Sequence, residues 1–254
     1  MNCKLTFTVL ALAAMAGCTP TALRVNAGAA MTQLKGDFAL QNSAGTLTLA
    51  NQKNSLDDTL GSGDDETSLY LRGEMEWGAH RVKVSGFNNK SDTAGVLTGA
   101  FGDIPGGTAV TSSADFGDIT GSWSYDLLDN SSFRLAAGAQ VGFHSLSLSV
   151  RSTSPAGYEN VETNLISPMP YLEFEWDLGP ALLGVNGGGM QVDLRDANSR
   201  FWDAEAYVRI PFERLELIGG YRYISQDADG RATGRDFDTN YEVMGFFFGG
   251  GIHF

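Results

Sequence analysis

Histidine is the residue type in this sequence best suited to acid–base chemistry, and the chain has three: His80, His144 and His253. His144, in GFHSLSLSV, is the candidate for a hydrolytic site, because a hydrolase needs a base within hydrogen-bonding reach of a nucleophile. In a strand the adjacent Ser145 points to the opposite face. Leu146 stands where a His-x-Ser pair would need a serine. The residues therefore favour a plain polar role for His144, and we assign no catalytic residue.

One glycine-rich segment, SQDADGRATGRD, has spacings similar to those of a calcium-binding loop with its first and last ligands changed. Its candidate ligands and turn glycine are Ser225, Asp227, Asp229, Gly230 and Asp236. Asp-rich glycine turns are also ordinary hairpin material. Calcium binding and a solvated loop both remain open, and the metal is unknown.

A second acidic run invites the same two interpretations. It consists of Asp57, Asp58, Asp64, Asp65 and Glu66. Divalent ions could bridge these carboxylates to lipopolysaccharide phosphates, or the run could be a solvated loop.

Other chemistries have no support in the sequence. There is no phosphate-binding glycine loop, no Cys/His cluster with zinc spacing and no recognisable Ser/His/Asp constellation. We therefore predict no cofactor. The net charge of −13 also argues against nucleic acid as a partner, because that partner requires a basic patch.

The elements that would position any such residues begin after an export signal. The segment MNCKLTFTVLALAAMAGC has one positive charge at Lys4, an apolar stretch and small residues at a cleavage site. We predict a signal peptide over 1–17 and a single domain over 18–254. Met15-Ala16-Gly17-Cys18 resembles a bacterial lipobox with Cys18 as the lipidated residue, while Ala14-Met15-Ala16 fits ordinary cleavage before Gly17.

Period-two alternation dominates the rest of the chain. In LYLRGEMEW, Leu69, Leu71, Met75 and Trp77 share one face and the charged residues share the other. Five later stretches repeat the pattern, and several run about nine to eleven residues or more, the length that a tilted strand needs to cross a bilayer. Around GFHSLSLSV the apolar positions change parity, which predicts a bulge and a strand that extends above the membrane.

Connection lengths also alternate. Five polar segments, near 41–67, 91–114, 152–164, 195–200 and 227–236, are predicted loops. Four tight turns fall between them, at Gly78-Ala79, around Leu128 to Ser131, at Gly179-Pro180 and at Pro211-Phe212-Glu213. Nine connections give ten strands, with eight or twelve as alternatives. The predicted fold is an all-β, closed antiparallel up-and-down transmembrane barrel.

The chain resembles bacterial outer-membrane β-barrel proteins in ending on a strand with a C-terminal aromatic residue. The matching positions of this assembly signal are Phe248, Ile252 and Phe254, with Gly250 as the departure. The stretch from Ser55 to Phe87 also resembles one in uncharacterised small outer-membrane proteins. The resemblance implies the outer membrane of a Gram-negative bacterium, and as partners the membrane lipid, lipopolysaccharide and the barrel-assembly machinery. We expect a monomer.

If the apolar faces meet lipid, the charged faces line the lumen, where charges are tolerable only when paired or wet. The predicted lumen network comprises Arg24, Arg72, Glu74, Glu76, Arg81, Lys83, Asp118, Arg134, Glu173, Glu175, Asp203, Glu205, Arg209, Glu216 and Arg222. A ten-strand barrel is narrow. We therefore expect ion pairs to plug most of the lumen, in a barrel with a structural or surface-interaction role.

Three alternatives remain open. One is a narrow pore for small solutes. Another is a rim-type hydrolase, because ten-strand omptin proteases and smaller lipid A deacylases share this architecture; His144 is the one histidine that topology could place near the outer rim. The third is a soluble lipid-anchored barrel of lipocalin type.

Overall fold

The fold is taken from a computed structural model of the chain, which describes residues 20–60, 65–194, 197–232 and 234–254. The predicted signal peptide and Cys18 lie outside the described residues, as does Asp64. Within the described part of the chain, no helix has the length and apolar character to cross a bilayer.

Antiparallel strands dominate the architecture. Their bounds are β1 Ala22–Leu40, β2 Asn54–Ser55, β3 Glu66–Trp77, β4 His80–Val96, β5 Ala109–Asp129, β6 Phe133–Thr153, β7 Ala156–Asp177, β8 Leu182–Leu194, β9 Ala197–Phe212, β10 Leu215–Ala232 and β11 Arg235–His253. A short 3-10 helix, Leu49–Asn51, lies between β1 and β2. Each long strand pairs with its neighbours in sequence, and β11 returns to pair with β1 from Arg24–His253 to Leu40–Phe237. The predicted closed up-and-down barrel of ten strands is confirmed. The two-residue β2 is an eleventh strand beside the upper part of β1.

Tight turns join the strands at one end of the barrel, as predicted. The β3–β4 turn has Gly78 at φ +56°, in the left-handed region that glycine adopts without steric cost. By the resemblance to outer-membrane barrels we call this the periplasmic end, and the opposite end the outer end.

The outer end differs from the prediction. Long connections join β1 to β3 and β4 to β5, but β6 and β7 are separated by only Ser154 and Pro155. The segments 152–164 and 227–236, predicted as loops, lie almost entirely within strands. They are polar because their outward faces project beyond the apolar band, not because they lack regular structure.

The strands are therefore longer than a bilayer requires. The 22 residues of β7 span about 70 Å at about 3.3 Å per residue. A tilt of about 45° leaves about 50 Å along the barrel axis, which still exceeds the ~30 Å hydrocarbon thickness. We call the part with an apolar exterior the band and the part beyond it the stalk.

The change of parity near His144 has a different cause from the one predicted. The β5–β6 ladder passes without a break from Ile119–Phe143 to Phe116–Leu146, and its one irregularity lies near the periplasmic turn, between Asp126 and Leu128. Phe143 faces outward, whereas Leu146 is buried in the lumen. The apolar residues thus switch from the outer face to the inner face where the strand leaves the band, so the prediction of a bulge was wrong.

Candidate functional site

All of the ionisable residues predicted to line the lumen take part in ion pairs inside the barrel. The pairs join β1, β3, β4, β5, β6, β7, β9 and β10. Inward residues of neighbouring strands sit close together because side chains alternate between the two faces. The network therefore follows from parity together with closure of the ring.

In the charged layer nearest the periplasmic end, the Glu173 carboxylate contacts three cationic side chains. It lies 2.5 Å from Lys83 Nζ, 2.9 Å from Arg134 Nη1 and 3.4 Å from Arg81 Nη1. Arg81 also contacts Glu175 at 2.7 Å and Glu76 at 2.6 Å. Arg24 on β1 completes this layer by contacting Glu76 at 2.5 Å.

The middle layer is centred on Arg72. Its Nε donates to Glu74 and its Nη1 to Glu205, each at 2.6 Å. Arg209 approaches Glu74 at 2.6 Å from across the lumen and Glu216 at 3.5 Å. These side chains are almost fully buried, so each charge depends on its partner rather than on water.

The outermost charged layer contains His144. Arg222 bridges Asp118 and Asp203, each at 2.8 Å, and His144 Nδ1 lies 3.1 Å from Asp118 Oδ1. The imidazole packs against Phe116 and Phe201 and its side chain is completely buried. The expectation of a rim position for His144 was wrong, because the strands continue well beyond it.

Several neutral residues of the lumen were not singled out from the sequence. Tyr207 donates its hydroxyl to Glu175 at 2.5 Å and lies under the Arg72 guanidinium, 4.5 Å from ring centroid to Cζ. Asn26 donates to Glu216 and Gln140 to Asp203. The sequence could have indicated them through the alternation of the strands, since each occupies an inward position on its strand.

Beyond His144 the lumen is filled by an apolar core rather than by ion pairs. Phe38 stacks on Phe237 and contacts Phe101, with ring centroids 5.9 and 6.0 Å apart. Strand residues of this core include Leu34, Leu148, Val150 and Val161, and the two long outer connections contribute Leu56, Leu60, Leu97, Phe101 and Ile104. The expected ion-pair plug thus occupies the band alone, and a hydrophobic core closes the stalk.

Hydrogen bonds from buried polar groups fix the two long connections in place. Asn54 accepts the N–H groups of Thr98 and Gly99 at 2.9 and 3.1 Å. Glu159 accepts from the Asp103 N–H at 2.8 Å and pairs with Arg235 at 2.7 Å.

The two long outer connections together form what we call the cap of the stalk. At its surface, Asp103 accepts from both the N–H and the hydroxyl of Ser43, at 2.9 and 3.0 Å. These two bonds, the backbone one first, lower the pKa of the Asp103 carboxyl.

The space left inside the band is small. A cavity of about 220 Å³ opens at the periplasmic mouth and ends on Arg81, Arg134 and Glu175. Deeper, beside Arg72, Lys83 and Arg222, about 20 Å³ remains, which is room for about one water molecule.

The two proposed metal segments form other structures. Asp227 and Asp229 lie on β10, outward and two residues apart, so their carboxylates are spread along a strand instead of converging. Asp57 accepts from the Ser55 hydroxyl at 2.6 Å within a turn. Over the described residues, no group of three or more His, Cys, Asp or Glu side chains could hold a metal ion.

Phe248 and Ile252 of the predicted assembly signal lie on β11, and Phe254 directly follows it. Phe248, Ile252 and Phe254 face outward and are exposed on the barrel surface, as is Gly250 between them. Their strand closes the ring against β1.

Comparisons with known proteins point to the same architecture. No family model matches the chain, and no curated protein matches it by sequence. Among solved structures, the outer membrane protease OmpT from Escherichia coli is similar at 9% identity with a TM-score of 0.60, covering 93% of this chain and 98% of that one. The attachment invasion locus protein Ail of Yersinia pestis, in complex with the heparin analogue sucrose octasulfate, gives a TM-score of 0.40 at 9% identity, with 92% and 98% covered. The toluene transporter TodX of P. putida gives 0.37 at 9% identity, with 93% and 91% covered. The similarity to OmpT establishes the fold, which is that of an outer-membrane β-barrel.

Proposed function

We propose that this protein is a closed outer-membrane barrel that holds a rigid stalk above the bilayer for structural or surface-interaction purposes. The observation that supports it is that the lumen is filled along its length, by ion pairs in the band and by an apolar core in the stalk. A barrel filled in this way offers solutes no continuous polar path. The surface that it displays is therefore the part available for interaction.

The outward faces support the membrane location. Along β5 the exposed apolar positions run from Ile119 through Trp123 and Tyr125 to Leu127. Nine residues of a tilted strand cover about 23 Å, close to the ~25 Å apolar band of outer-membrane barrels. Above Ile119 the outward residues of the same strand are Asp115, Ser113 and Thr111, which suit water.

Part of the stalk surface is suited to polar partners. A shallow groove of about 570 Å³ runs across β4 to β7, lined by hydroxyl and charged side chains such as Ser113, Ser149 and Asp92. Tyr158 is exposed there, with Arg151 lying 5.3 Å from its ring centroid. An exposed aromatic ring among hydroxyls and charges can contact a polar surface ligand through both stacking and hydrogen bonds.

Single-channel recording in planar bilayers tests the proposal. We expect the detergent-purified barrel to give no steady openings. Arg72→Ala enlarges the space between Glu74 and Glu205 but should also give no openings, because the apolar core of the stalk still closes the lumen. Steady openings of the unaltered protein would overturn the closed-barrel proposal in favour of the narrow pore. Heat-modifiable migration on a gel checks that each sample contains the folded barrel.

A further inference from the structure

The wall of the barrel is interrupted between β3 and β4. Their ladder runs from Trp77–His80 to Leu71–Gly86 and stops there. Yet β3 continues to Glu66 beside β1, and β4 continues to Val96 beside β5. Above Leu71 and Gly86 the two strands therefore part. We call this opening, together with the depression on the outer face just below it around Gly73 and Val84, the β3–β4 slot.

The slot opens from the lipid-facing surface and is mainly apolar. Its volume is about 510 Å³, within the roughly 300–1,000 Å³ typical of small-molecule pockets. The apolar residues that line it are Val25, Leu69, Leu71, Val84, Phe87 and Ile119. All of these except Phe87 are exposed on the outer face of the band.

A side-chain contact ties the parted segment of β4 to β1. Asn89, fully buried on β4, donates its side-chain amide to the Thr32 carbonyl at 2.8 Å and to the Thr32 hydroxyl at 3.1 Å. This part of β4 is thereby tied to β1 and not to the intervening β3. Gly73 adds room, because a Cβ at that position would meet no atom within 4 Å.

The position of the slot decides what can occupy it, and this step rests on the proposed membrane location. Its lower part lies among outward apolar residues, where only hydrocarbon is available. An apolar void there would forfeit dispersion contacts along its walls. Its upper part lies between the unpaired edges of Glu66–Tyr70 and Phe87–Ser91, and bare sheet edges are not tolerated in hydrocarbon.

We propose that the β3–β4 slot binds one acyl chain of an outer-leaflet lipid. The chain lies against Leu71, Val84 and Ile119, and the ester or amide oxygens of the lipid reach the strand edges beside Asn88. An amphiphile satisfies both halves of the slot, whereas a purely apolar or purely polar ligand satisfies one.

Photolabelling tests the proposal. The full barrel is placed in nanodiscs that contain phosphatidylglycerol with a diazirine in one acyl chain, irradiated, and mapped by peptide mass spectrometry. We expect labelling to concentrate on peptides that contain Leu69–Gly73 and Val82–Asn88, relative to lipid-facing peptides at the same depth on β9 and β10.

Filling the slot should remove this preference. Gly73→Phe places a ring in the open space, so severalfold less labelling of the slot peptides is expected. Gly219→Phe is the matched control, because Gly219 also faces lipid, on β10, and its Cβ would meet its nearest atom at an ordinary 3.5 Å. Val84→Phe fills the slot from the other strand and replaces the first variant if that one does not fold.

The outcomes separate the two proposals. Labelling spread evenly around the barrel, or unchanged in a heat-modifiable Gly73→Phe or Val84→Phe barrel, overturns the lipid site and leaves the membrane barrel standing. Failure of the unaltered protein to enter nanodiscs or to show heat-modifiable migration overturns the membrane location itself.

Discussion

The band and the stalk are built from the same strands but with opposite interiors. On β5 the inward residues include Val110, Ala114 and Phe116 in the stalk, and Asp118 and Ser122 in the band. At the same point the outward residues change from polar in the stalk to apolar in the band. Because side chains alternate with a period of two across this boundary, the strand presents both arrangements without a bulge between them.

The kind of side chain that the band and the stalk each bury depends on the solvent around that part of the barrel. Around the stalk the proposed solvent is water, so apolar side chains gain free energy by filling the lumen. Around the band the proposed solvent is hydrocarbon, which gives no such gain. The lumen of the band is therefore free to hold charges, provided that they are paired.

The largest expected effect comes from unpairing the ionic interior of the band. Glu173→Ala leaves Lys83 and Arg134 buried without a shared carboxylate, and breaking a buried pair in this way costs about 3–5 kcal/mol. Urea-induced unfolding in detergent micelles measures the change. Arg231→Ala, at an exposed stalk ion pair, is the control and should cost under ~1 kcal/mol. Equal losses for the two variants would contradict the view that the band depends on ion pairs.

The next largest effect is expected when a phenylalanine ring is removed from the stalk core, and it is compared with removal of a ring from the lipid face of the band. Phe38→Ala removes a fully buried ring from the stalk core and should cost about 3–5 kcal/mol. Phe174→Ala, on the lipid face of β7, should cost much less, because lipid or detergent chains replace the lost contacts. Unfolding of both variants in the same micelles gives the comparison. A loss at Phe174 as large as that at Phe38 would argue that the band faces protein or water.

A charge placed on the outer face distinguishes the two exteriors. Leu172→Arg, near the middle of the band on β7, should destabilise the barrel by about 2–4 kcal/mol when it is folded into lipid vesicles. Ser147→Arg, outward on the stalk between Asp115 and Glu162, should be near neutral or slightly stabilising, through cross-strand charge pairs worth up to ~1 kcal/mol. If Leu172→Arg were also neutral, the bilayer would have to lie elsewhere.

The smallest effect concerns the cap of the stalk. The pKa of Asp103 is lowered in the folded state, so its bonds to Ser43 stabilise the cap above the ordinary carboxyl pKa of 3.8 and are lost as the pH falls through the lower folded value. Hydrogen exchange of residues 41–48 should accelerate below about pH 4 in the unaltered protein. In Asp103→Ala it should be faster at neutral pH and should lack this acid step. An identical step in both proteins would assign it to another group.

Much of the band could be predicted from the sequence. Regular alternation in stretches such as LYLRGEMEW and LEFEWDL fixes the inward parity, and that parity alone selects the residues of the lumen network. The turns at Gly78 and Gly179 could also be predicted, because glycine enters the positive-φ region without steric cost. Both residues adopt positive φ in the structure.

The strands of the stalk could not be predicted from the sequence, for a physical reason. Its outward faces carry Ser, Asp and Asn, which sequence reasoning associates with loops, and the segment SQDADGRATGRD has the composition of a turn. Nothing local distinguishes a polar loop from a strand whose polar face meets water. Cross-strand pairing with β9 and β11 decides that SQDADGRA forms a strand.

The sequence by itself determined the strand faces, the tight periplasmic turns and the closed antiparallel ring, because these follow from period-two alternation and from the conformational freedom of glycine. Only the tertiary structure decided which charges meet across the lumen, that His144 is buried and not on a rim, that the outer connections fold inward as an apolar cap, and that β3 and β4 part to form a slot. Each of these depends on where closure of the ring brings residues that lie far apart in the chain, and no local pattern encodes that distance.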